Sequence, residues 1–394
     1  MESPLNSYIQ SPTITPAFDK AFPLVASKAT TAGFSNVITA ISAGDSYAVV
    51  TPNQTFKLVV ETNVEQQFSA TIVDSENNKL ASLIVLHAKG QDSITLSDGS
   101  SFEWTYKPED YLTSCDDYLA WLLTALSLEF TIEDAALIAK SALHVSCETW
   151  PNHIKFFPQL ATTHQQVSAR KSARCFGLYP VLDSLELVDE IAQSDMNILQ
   201  LRIKDQSNET VSEDVRRAIQ IGKQRGVDVV INDYWELALE HGASCIHLGQ
   251  EDLAELADSR LLSSDTGLGI STHGYYEIIN ALQYKPSYLA LGHIFPTTTK
   301  DMPSSPQGLI KLNLYQALIT SIGEQRGEIL PSVAIGGINL ERAPLVIESG
   351  VTSVAVVRAV TQAHDKHEAV AQFQQLFEHL NEKVIRLEEA SDAV

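Results

Sequence analysis

The 394-residue chain is poor in cysteine, poor in basic residues and free of long apolar runs, and each shortage removes a class of protein. Its cysteines, Cys115, Cys147, Cys175 and Cys245, lie far apart and form no Cys-x-x-Cys pair. A disulfide framework or a cysteine-bound zinc is therefore not expected; small buried thiols are. Lysine and arginine total 27 against 49 aspartates and glutamates, a formal charge of −22. Such a surface repels nucleic acid and anionic membranes, and neither is an expected partner. An anionic small molecule stays compatible wherever cations or a metal gather locally. No stretch reaches the roughly 18 to 20 apolar residues of a membrane span, and no basic segment followed by an apolar run opens the chain. The expectation is a cytoplasmic, reducing location.

What is present is the composition of an ordinary globular protein, with 44% hydrophobic and 19% charged residues, and a length sufficient for two cores. Residues 1 to about 20 are polar, carry Pro12 and Pro16, and read as a loose leader. From there to about Trp150 the pattern is α/β or α+β. Strands are expected at Val37–Ile41, Phe56–Val60 and Leu83–Leu86. A helix follows on the stripe Tyr118, Leu119, Leu122, Leu123 and Leu126. A second begins near Thr131, whose spacing to Asp134 is that of a capping box.

This region resembles the C-terminal part of ribokinase-like kinases, notably hydroxymethylpyrimidine phosphate kinases. The resemblance rests on Leu83–Leu86 leading to Lys89-Gly90-Gln91, and on Thr113-Ser114-Cys115-Asp116 before a helix. Such kinases carry glycines in that second turn, where bare N–H groups at a helix N-terminus hold phosphate. Here Thr113 and Cys115 replace them, and the region is short for an intact kinase. The expectation for residues 1–165 is a degenerate accessory domain with a linker and no kinase activity. Ala43-Gly44-Asp45-Ser46 reads either as a turn or as the relic of a substrate loop. Residues 150–174, with Pro151, Pro158 and a Thr-Thr-His-Gln-Gln run, read as a linker or linking helix.

Beyond Cys175 short apolar runs recur near 176–182, 196–203, 227–231, 244–248, 266–270, 287–292, 331–335 and 353–357, with helical patterns between them. Eight strands alternating with helices over 175–390 predict an α/β fold: a (β/α)₈ TIM barrel behind a smaller domain. A doubly wound open sheet is the alternative, and no Gly-x-Gly-x-x-Gly follows the first strand to favour it.

A barrel's chemistry collects at the C-terminal ends of its strands. Those ends here carry Gln200, Arg202 and Lys204, then Asn232-Asp233, His247-Leu248-Gly249-Gln250-Glu251-Asp252, and Ser271-Thr272-His273. Gly292-His293 running to Thr297-Thr298-Thr299-Lys300, Gly336-Gly337 and Val356-Val357 complete the set. Asp233 and Asp252 close adjacent strands and could share one Mg²⁺; each could equally be a helix cap. Arg202, Lys204 and Lys300 would neutralise phosphate, the arginine as a fork and the lysines as point charges. Gly336-Gly337 and the eighth strand sit at the usual phosphate corner of a barrel. His247 alternates with apolar neighbours and reads as a wall residue; His273 and His293 are hydrogen-bonding candidates rather than catalytic bases.

With these motifs in order, Gly177 to Gln374 resembles thiamine phosphate synthase. The quoted set is Gln-Leu-Arg-x-Lys at 200–204, Ile-Asn-Asp at 231–233, His-Leu-Gly-Gln-Glu-Asp at 247–252, Pro-Thr-x-Thr-Lys at 296–300 before Gln307-Gly308, and Ile-Gly-Gly-Ile at 335–338. The resemblance implies joining of a hydroxymethylpyrimidine diphosphate to a thiazole phosphate with release of diphosphate. It implies that Gln200, Arg202, Lys204, Asn232, Ser271 and Lys300 hold the pyrimidine diphosphate and that Asp233 and Asp252 bind Mg²⁺. Thr297, Thr298, Thr299, Gly336 and Val357 would face the thiazole phosphate. Arg358 stands where many members have Ser. Two rivals are a thiazole tautomerase on the same barrel, which needs no diphosphate site, and a role carried mainly by the N-terminal region as a pyrimidine-binding or regulatory module. The expected partners are small molecules, and a homo-oligomer is left open.

Overall fold

The computed structural model describes residues 6–391 apart from 12–15, 35–36, 43–46, 52, 65–66, 87–88, 108–114, 146–149, 161–166, 204–207, 257–259 and 298–304. It divides into two compact units. The first runs to Thr162 and includes Gly274–Tyr276; the second takes up the chain from Thr163.

The first unit is built in the order β1 (Asn6–Ser11), α1 (Pro16–Thr31), β2 (Val37–Ser42), β3 (Tyr47–Val50), β4 (Thr55–Val64), β5 (Gln67–Asp74), β6 (Lys79–Leu86), β7 (Gln91–Leu96), β8 (Ser101–Thr105), α2 (Cys115–Ser127), α3 (Ile132–Ala142) and β9 (Gln159–Leu160). The strands form one sheet, ordered β2-β1-β3-β4-β5-β6-β7-β8-β9. Only β1 and β2 pair in parallel; the remaining neighbours are antiparallel. Of the two alternatives for this region, the sheet is that of an α+β fold. Period-two alternation buries Phe56 and Leu58, then Phe68, Ala70 and Ile72, then Ala81, Leu83 and Val85. Phe68 meets Tyr118 of α2 with ring centroids 5.5 Å apart.

Three expectations change here. Residues 6–11 of the expected loose leader form a strand, because Asn6–Ser11 pairs along both edges, with β2 and with β3. Pro16, read as loop punctuation, instead starts α1, where a missing N–H costs nothing. Lys89 and Gly90 belong to the connection of the antiparallel hairpin β6–β7. Thr113 and Ser114 and the turn 43–46 lie outside the described residues.

Thr131 does cap α3, accepting from Asp134 N at 3.4 Å. The Asp134 carboxylate turns elsewhere, accepting from Tyr275 N at 3.0 Å and Tyr276 N at 2.8 Å. A fully buried ion pair, Lys140 Nζ to Asp92 at 3.2 Å, lies in the same unit. Trp104 Nε1 and Tyr106 OH also donate to that carboxylate. Burial nonetheless pushes the Asp92 pKa up, with Lys140 opposing.

In the second unit residues Val167–Phe176 run without helix, which removes the linking-helix alternative for residues 167–174. Arg170 explains the path: its guanidinium donates to the carbonyls of Tyr284, Leu261 and Thr266 at 2.9, 3.3 and 3.1 Å. These bonds favour an extended strap over a helix.

The barrel strands are β10 (Gly177–Leu182), β11 (Ile198–Leu201), β12 (Asp228–Asn232), β13 (Cys245–Leu248), β14 (Gly267–Thr272), β15 (Tyr288–Gly292), β16 (Ser332–Ile335) and β17 (Ser353–Val356), closed in sequence order. Every pair is parallel, and β10 returns to β17. The helices are α4 (Leu185–Ile191), α5 (Asn208–Arg225), α6 (Trp235–Glu240), α7 (Gln250–Ala254), α8 (Arg260–Ser263), α9 (Tyr275–Ala281), α10 (Gly308–Arg326), α11 (Ala343–Ile347), α12 (Arg358–Thr361) and α13 (Lys366–Ser391). The parallel eight-stranded barrel replaces the doubly wound alternative. Its interior is a cluster of alternate strand residues, among them Tyr179, Val181, Ile198, Val230, Cys245, Tyr288, Ala290, Val333 and Ala355. No helix among the described residues is long and apolar enough to cross a membrane.

Candidate active site

Strand β11 stops at Leu201, inside the expected run 196–203, so Gln200 is its last inward residue and Arg202 follows it. Gln200 is 4% exposed and sits low in the barrel, where its Nε2 donates to Tyr179 OH at 3.1 Å. Arg202 is half-buried, its backbone N held by Leu182 O at 2.7 Å. Lys204 lies outside the described residues.

Asn232 ends β12 and is buried beside His247 in the register of β13. Asp233 follows with φ 66°, a left-handed conformation that a non-glycine residue adopts at a cost. Its N–H is fixed by His247 O at 3.0 Å. Asp233 itself is not the N-cap residue of α6, a position held by Tyr234. For Asp252 the capping alternative is realised in part, since Oδ2 accepts from Gly249 N at 2.8 Å. A carboxylate has a second oxygen, so capping and ligation are compatible there. Among the described residues no cluster of three His, Cys, Asp or Glu side chains forms a dedicated metal cage. Asp233 directly follows β12 and Asp252 lies in the first turn of α7, after β13, a pair of carboxylates that could hold Mg²⁺ with waters and substrate phosphate completing its shell.

Ser271, at the end of β14, is tied to the barrel floor. Its Oγ lies 2.9 Å from His247 Nε2, and its carbonyl accepts from Gln250 Nε2 at 2.6 Å. His247 Nδ1 is 2.9 Å from Tyr288 OH, which is 2.8 Å from Tyr179 OH. Burial, and secondarily the charge of Arg202, hold the His247 pKa down from 6.5 to about 4. The ring is neutral, as a wall residue should be, but it is hydrogen-bonded at both nitrogens.

After β15 the chain passes through His293, buried, and returns at Gln307. Gln307 N donates to His293 O at 2.9 Å and Gly308 N to Ile294 O at 3.0 Å. The Gln307 side chain adds bonds to Gly292 O at 2.6 Å and His273 O at 3.1 Å. Its Oε1 and His293 Nδ1 are buried with no hydrogen-bond partner among the described residues. The His293 pKa is lowered by burial and then by His273. Thr297 is half-buried; Thr298, Thr299 and Lys300 lie outside the described residues. Gly336 and Gly337 are glycines for lack of room. A Cβ on the first would sit 2.4 Å from His293 Cβ, and on the second 2.5 Å from Pro296 O. Val357 packs on the core cluster, and Arg358 is exposed at the first position of α12.

Residues 178–360 match the family model described as "Thiamine monophosphate synthase". The thiamine-phosphate synthase of Serratia proteamaculans (strain 568) is 48% identical over 202 residues, covering 51% of this chain and 92% of that protein. The chain belongs to the thiamine-phosphate synthase family. The thiamine-phosphate synthase of Enterobacter sp. (strain 638) is similar at 49% over 200 residues, 51% of this chain and 91% of that one. Among solved structures, thiamine phosphate pyrophosphorylase from Pyrococcus furiosus is 26% identical, with 52% of this chain and 96% of that chain covered and a TM-score of 0.44. The synthase-family match begins at Leu178, so residues 1–177 fall outside it.

Two tyrosines of this synthase-family barrel were not singled out from sequence: Tyr179 and Tyr288. A phenol in an apolar strand reads as core, and only the neighbouring Gly269 hints otherwise. His247, Gly269 and Tyr288 stand in one register row across β13, β14 and β15. A Cβ on Gly269 would fall 2.0 Å from the Tyr288 ring, so the glycine leaves the slot through which Tyr288 reaches His247. A cavity of about 360 Å³ opens at the opposite end of β12 and β13, among Lys171, Arg174, Lys223 and Asp228. Its cations are engaged in part, Arg174 with Asp228 at 2.9 Å and Lys171 with Asp265 at 3.2 Å. The strand-end residues named above do not line it.

Proposed function

We propose that the barrel is a thiamine phosphate synthase, joining 4-amino-2-methyl-5-hydroxymethylpyrimidine diphosphate to thiazole phosphate and releasing diphosphate. The observation that carries the reading is 48% identity over nine-tenths of a thiamine-phosphate synthase's length. It is supported by the position of Gln200, Arg202, Asn232, Asp233, Asp252 and Ser271, all at the C-terminal ends of β11 to β14 or in the turns and short helix that follow. In the reaction the bond from the pyrimidine methylene carbon to the diphosphate oxygen breaks, and its electron pair leaves with diphosphate. The aminopyrimidine ring delocalises the resulting cation, and the thiazole nitrogen lone pair forms the new C–N bond.

Arg202, Lys204 and Lys300 stabilise the departing charge, the arginine as a fork on two phosphate oxygens. Gln200, Asn232 and Ser271 orient the pyrimidine diphosphate. Thr297, Thr298, Thr299, Gly336 and Val357, with Arg358 beside them in sequence, face the thiazole phosphate. Asp233 and Asp252 hold Mg²⁺, which when bound supplies positive charge for diphosphate departure. No general base is needed, and a neutral, doubly bonded His247 is not poised to be one. Rate comes from charge stabilisation and from holding two substrates in line. Reduced, buried Cys175 and Cys245 suit a cytoplasmic setting.

Residues 1–165 form, in this reading, an accessory domain related to ribokinase-like kinases but without phosphate transfer, and residues 175–390 the catalytic domain. Thr113 and Cys115 stand where such kinases carry the glycines whose bare N–H groups hold phosphate. Purified full-length protein given both substrates and Mg²⁺ should form thiamine phosphate and diphosphate in equal amounts, lose activity in chelator and regain it with Mg²⁺. No diphosphate from the complete mixture would overturn the synthase reading. The same protein given hydroxymethylpyrimidine phosphate and ATP should leave ATP intact; phosphate transfer would overturn the accessory reading.

A further inference from the structure

Five side chains cross the interior of the barrel in one unbroken line. Gln200 Nε2 lies 3.1 Å from Tyr179 OH, Tyr179 OH 2.8 Å from Tyr288 OH, Tyr288 OH 2.9 Å from His247 Nδ1, and His247 Nε2 2.9 Å from Ser271 Oγ. They come from β11, β10, β15, β13 and β14. Tyr179, Gln200, Tyr288 and His247 are 2%, 4%, 0% and 8% exposed, and the half-buried Ser271 is the more open end of the line. All five are neutral at pH 7. Burial pushes both phenol pKa values far up, and His247 lies buried between two hydroxyls, one at each ring nitrogen.

We infer that this line is a one-way hydrogen-bond chain that makes Ser271 a dedicated hydrogen-bond donor to the departing diphosphate, with Tyr288 and His247 as its positioning residues. The inference rests on the proposal that Ser271 faces the pyrimidine diphosphate.

The direction follows from counting protons. An amide nitrogen can only donate, so Tyr179 oxygen accepts from Gln200. The Tyr179 hydroxyl then has Tyr288 oxygen as its acceptor, and leaving a buried O–H unmade would cost about 1–3 kcal/mol. Tyr288 in turn donates to His247 Nδ1. A neutral imidazole that accepts at Nδ1 carries its proton on Nε2 and donates it to Ser271 Oγ. The serine oxygen is thereby an acceptor on its inner side, and its own proton points outward. Each link polarises the next, so Ser271 is a stronger donor than an isolated hydroxyl. The reverse direction would take the serine proton inward to His247 and leave lone pairs facing an anion. Gly269 is part of the device, since its bare Cα admits the Tyr288 ring between β13 and β15.

The tautomer of one ring decides the direction. Among the 11 histidines of ¹⁵N-histidine-labelled full-length protein, the His247 signals are assigned by their loss in His247→Gln. The expected spectrum, recorded without substrates, shows the directly bound proton on Nε2 and none on Nδ1. A proton on Nδ1, or an even mixture of the two forms, overturns the inference. Kinetics provide the second arm. Tyr288→Phe keeps the ring and removes the donor, and should lower kcat about tenfold or more with little change in the KM for thiazole phosphate. In a Ser271→Ala background the same change should alter kcat by no more than about twofold, because its route is already cut. Losses that simply multiply overturn a role through Ser271. Should the wild-type protein make no thiamine phosphate at all, the synthase reading fails, while the tautomer still reports which way the chain runs.

Discussion

Acidification sets the His247 ring against its surroundings. Burial first, and the neighbouring Arg202 charge second, hold its pKa down from 6.5 to about 4. Between those values the unfolded chain binds a proton that the folded barrel refuses, so stability falls as pH falls. The contribution is fully present above pH 6.5, is lost progressively as the pH drops through the window, and changes no further below about pH 4. A displacement of that size corresponds to about 3 kcal/mol for one group, an order-of-magnitude figure. The structural reason is specific: a protonated Nδ1 cannot accept the Tyr288 proton, so charging the ring breaks the interior chain as well as burying a cation. The comparison is wild type against His247→Gln, which keeps a donor and an acceptor but does not titrate. Urea titrations at steps between neutral and about pH 4, read by hydrogen exchange in peptides from β13 and β15, isolate the barrel from the first unit. The wild-type barrel should lose about 3 kcal/mol more than the variant across the window. Parallel curves for the two proteins would refute the reasoning, because a ring that titrates alike in both states has no linkage to folding.

Arg202→Ala should lower the rate of diphosphate release far more than it raises the KM for thiazole phosphate; equal losses in single-turnover and binding measurements would reduce Arg202 to scaffold. Gly269→Ala places a methyl 2.0 Å from the Tyr288 ring and should cost roughly 1–3 kcal/mol or more in thermal unfolding, with partial recovery in Gly269→Ala/Tyr288→Leu. Lys140→Met strips the buried Asp92 of its cation and should destabilise the first unit by roughly 3–5 kcal/mol near neutral pH. With the Asp92 pKa already raised by burial, protonation relieves that penalty, so the melting-temperature deficit should shrink as the pH falls; a pH-independent deficit would point to lost packing alone.

The barrel was legible because its strands recur with helices between them, and that rhythm survives in hydropathy alone. Inward and outward faces were legible too: Leu199, Leu201 and Ile203 are buried outside the barrel interior, while Gln200 points in. Depth was not. Alternation says which way Gln200 faces but not that its amide also meets the Tyr179 hydroxyl, because that depends on how far β11 extends. Asp233 and Asp252 looked alike in sequence, as acids after strands. The left-handed turn at Asp233 and the cap bond from Gly249 N to Asp252 separate them, and neither is written in composition. In the first unit three strands were expected from their apolar runs, while β1, β7, β8 and β9 are rich in Ser, Asn, Gln and Thr and are strands by virtue of their neighbours. Lys140 sits inside an apolar stripe with no local sign that a carboxylate from β7 awaits it.

The interior chain also keys the assembly of the barrel. Backbone ladders join each strand only to its neighbours, and a parallel ladder looks much the same after a shift along the strand. The Tyr179–Tyr288 bond reaches from β10 to β15, and the Tyr288–His247 bond from β15 to β13, both skipping at least one strand. A one-residue slip anywhere among β10, β11, β13, β14 and β15 would turn a chain member to the outer face. It would then leave one buried polar atom unmatched at either end of the line and two in its middle. The line from Gln200 to Ser271 therefore works as a gauge of alignment, penalising misregistered closure at a step when the apolar residues alone would tolerate it.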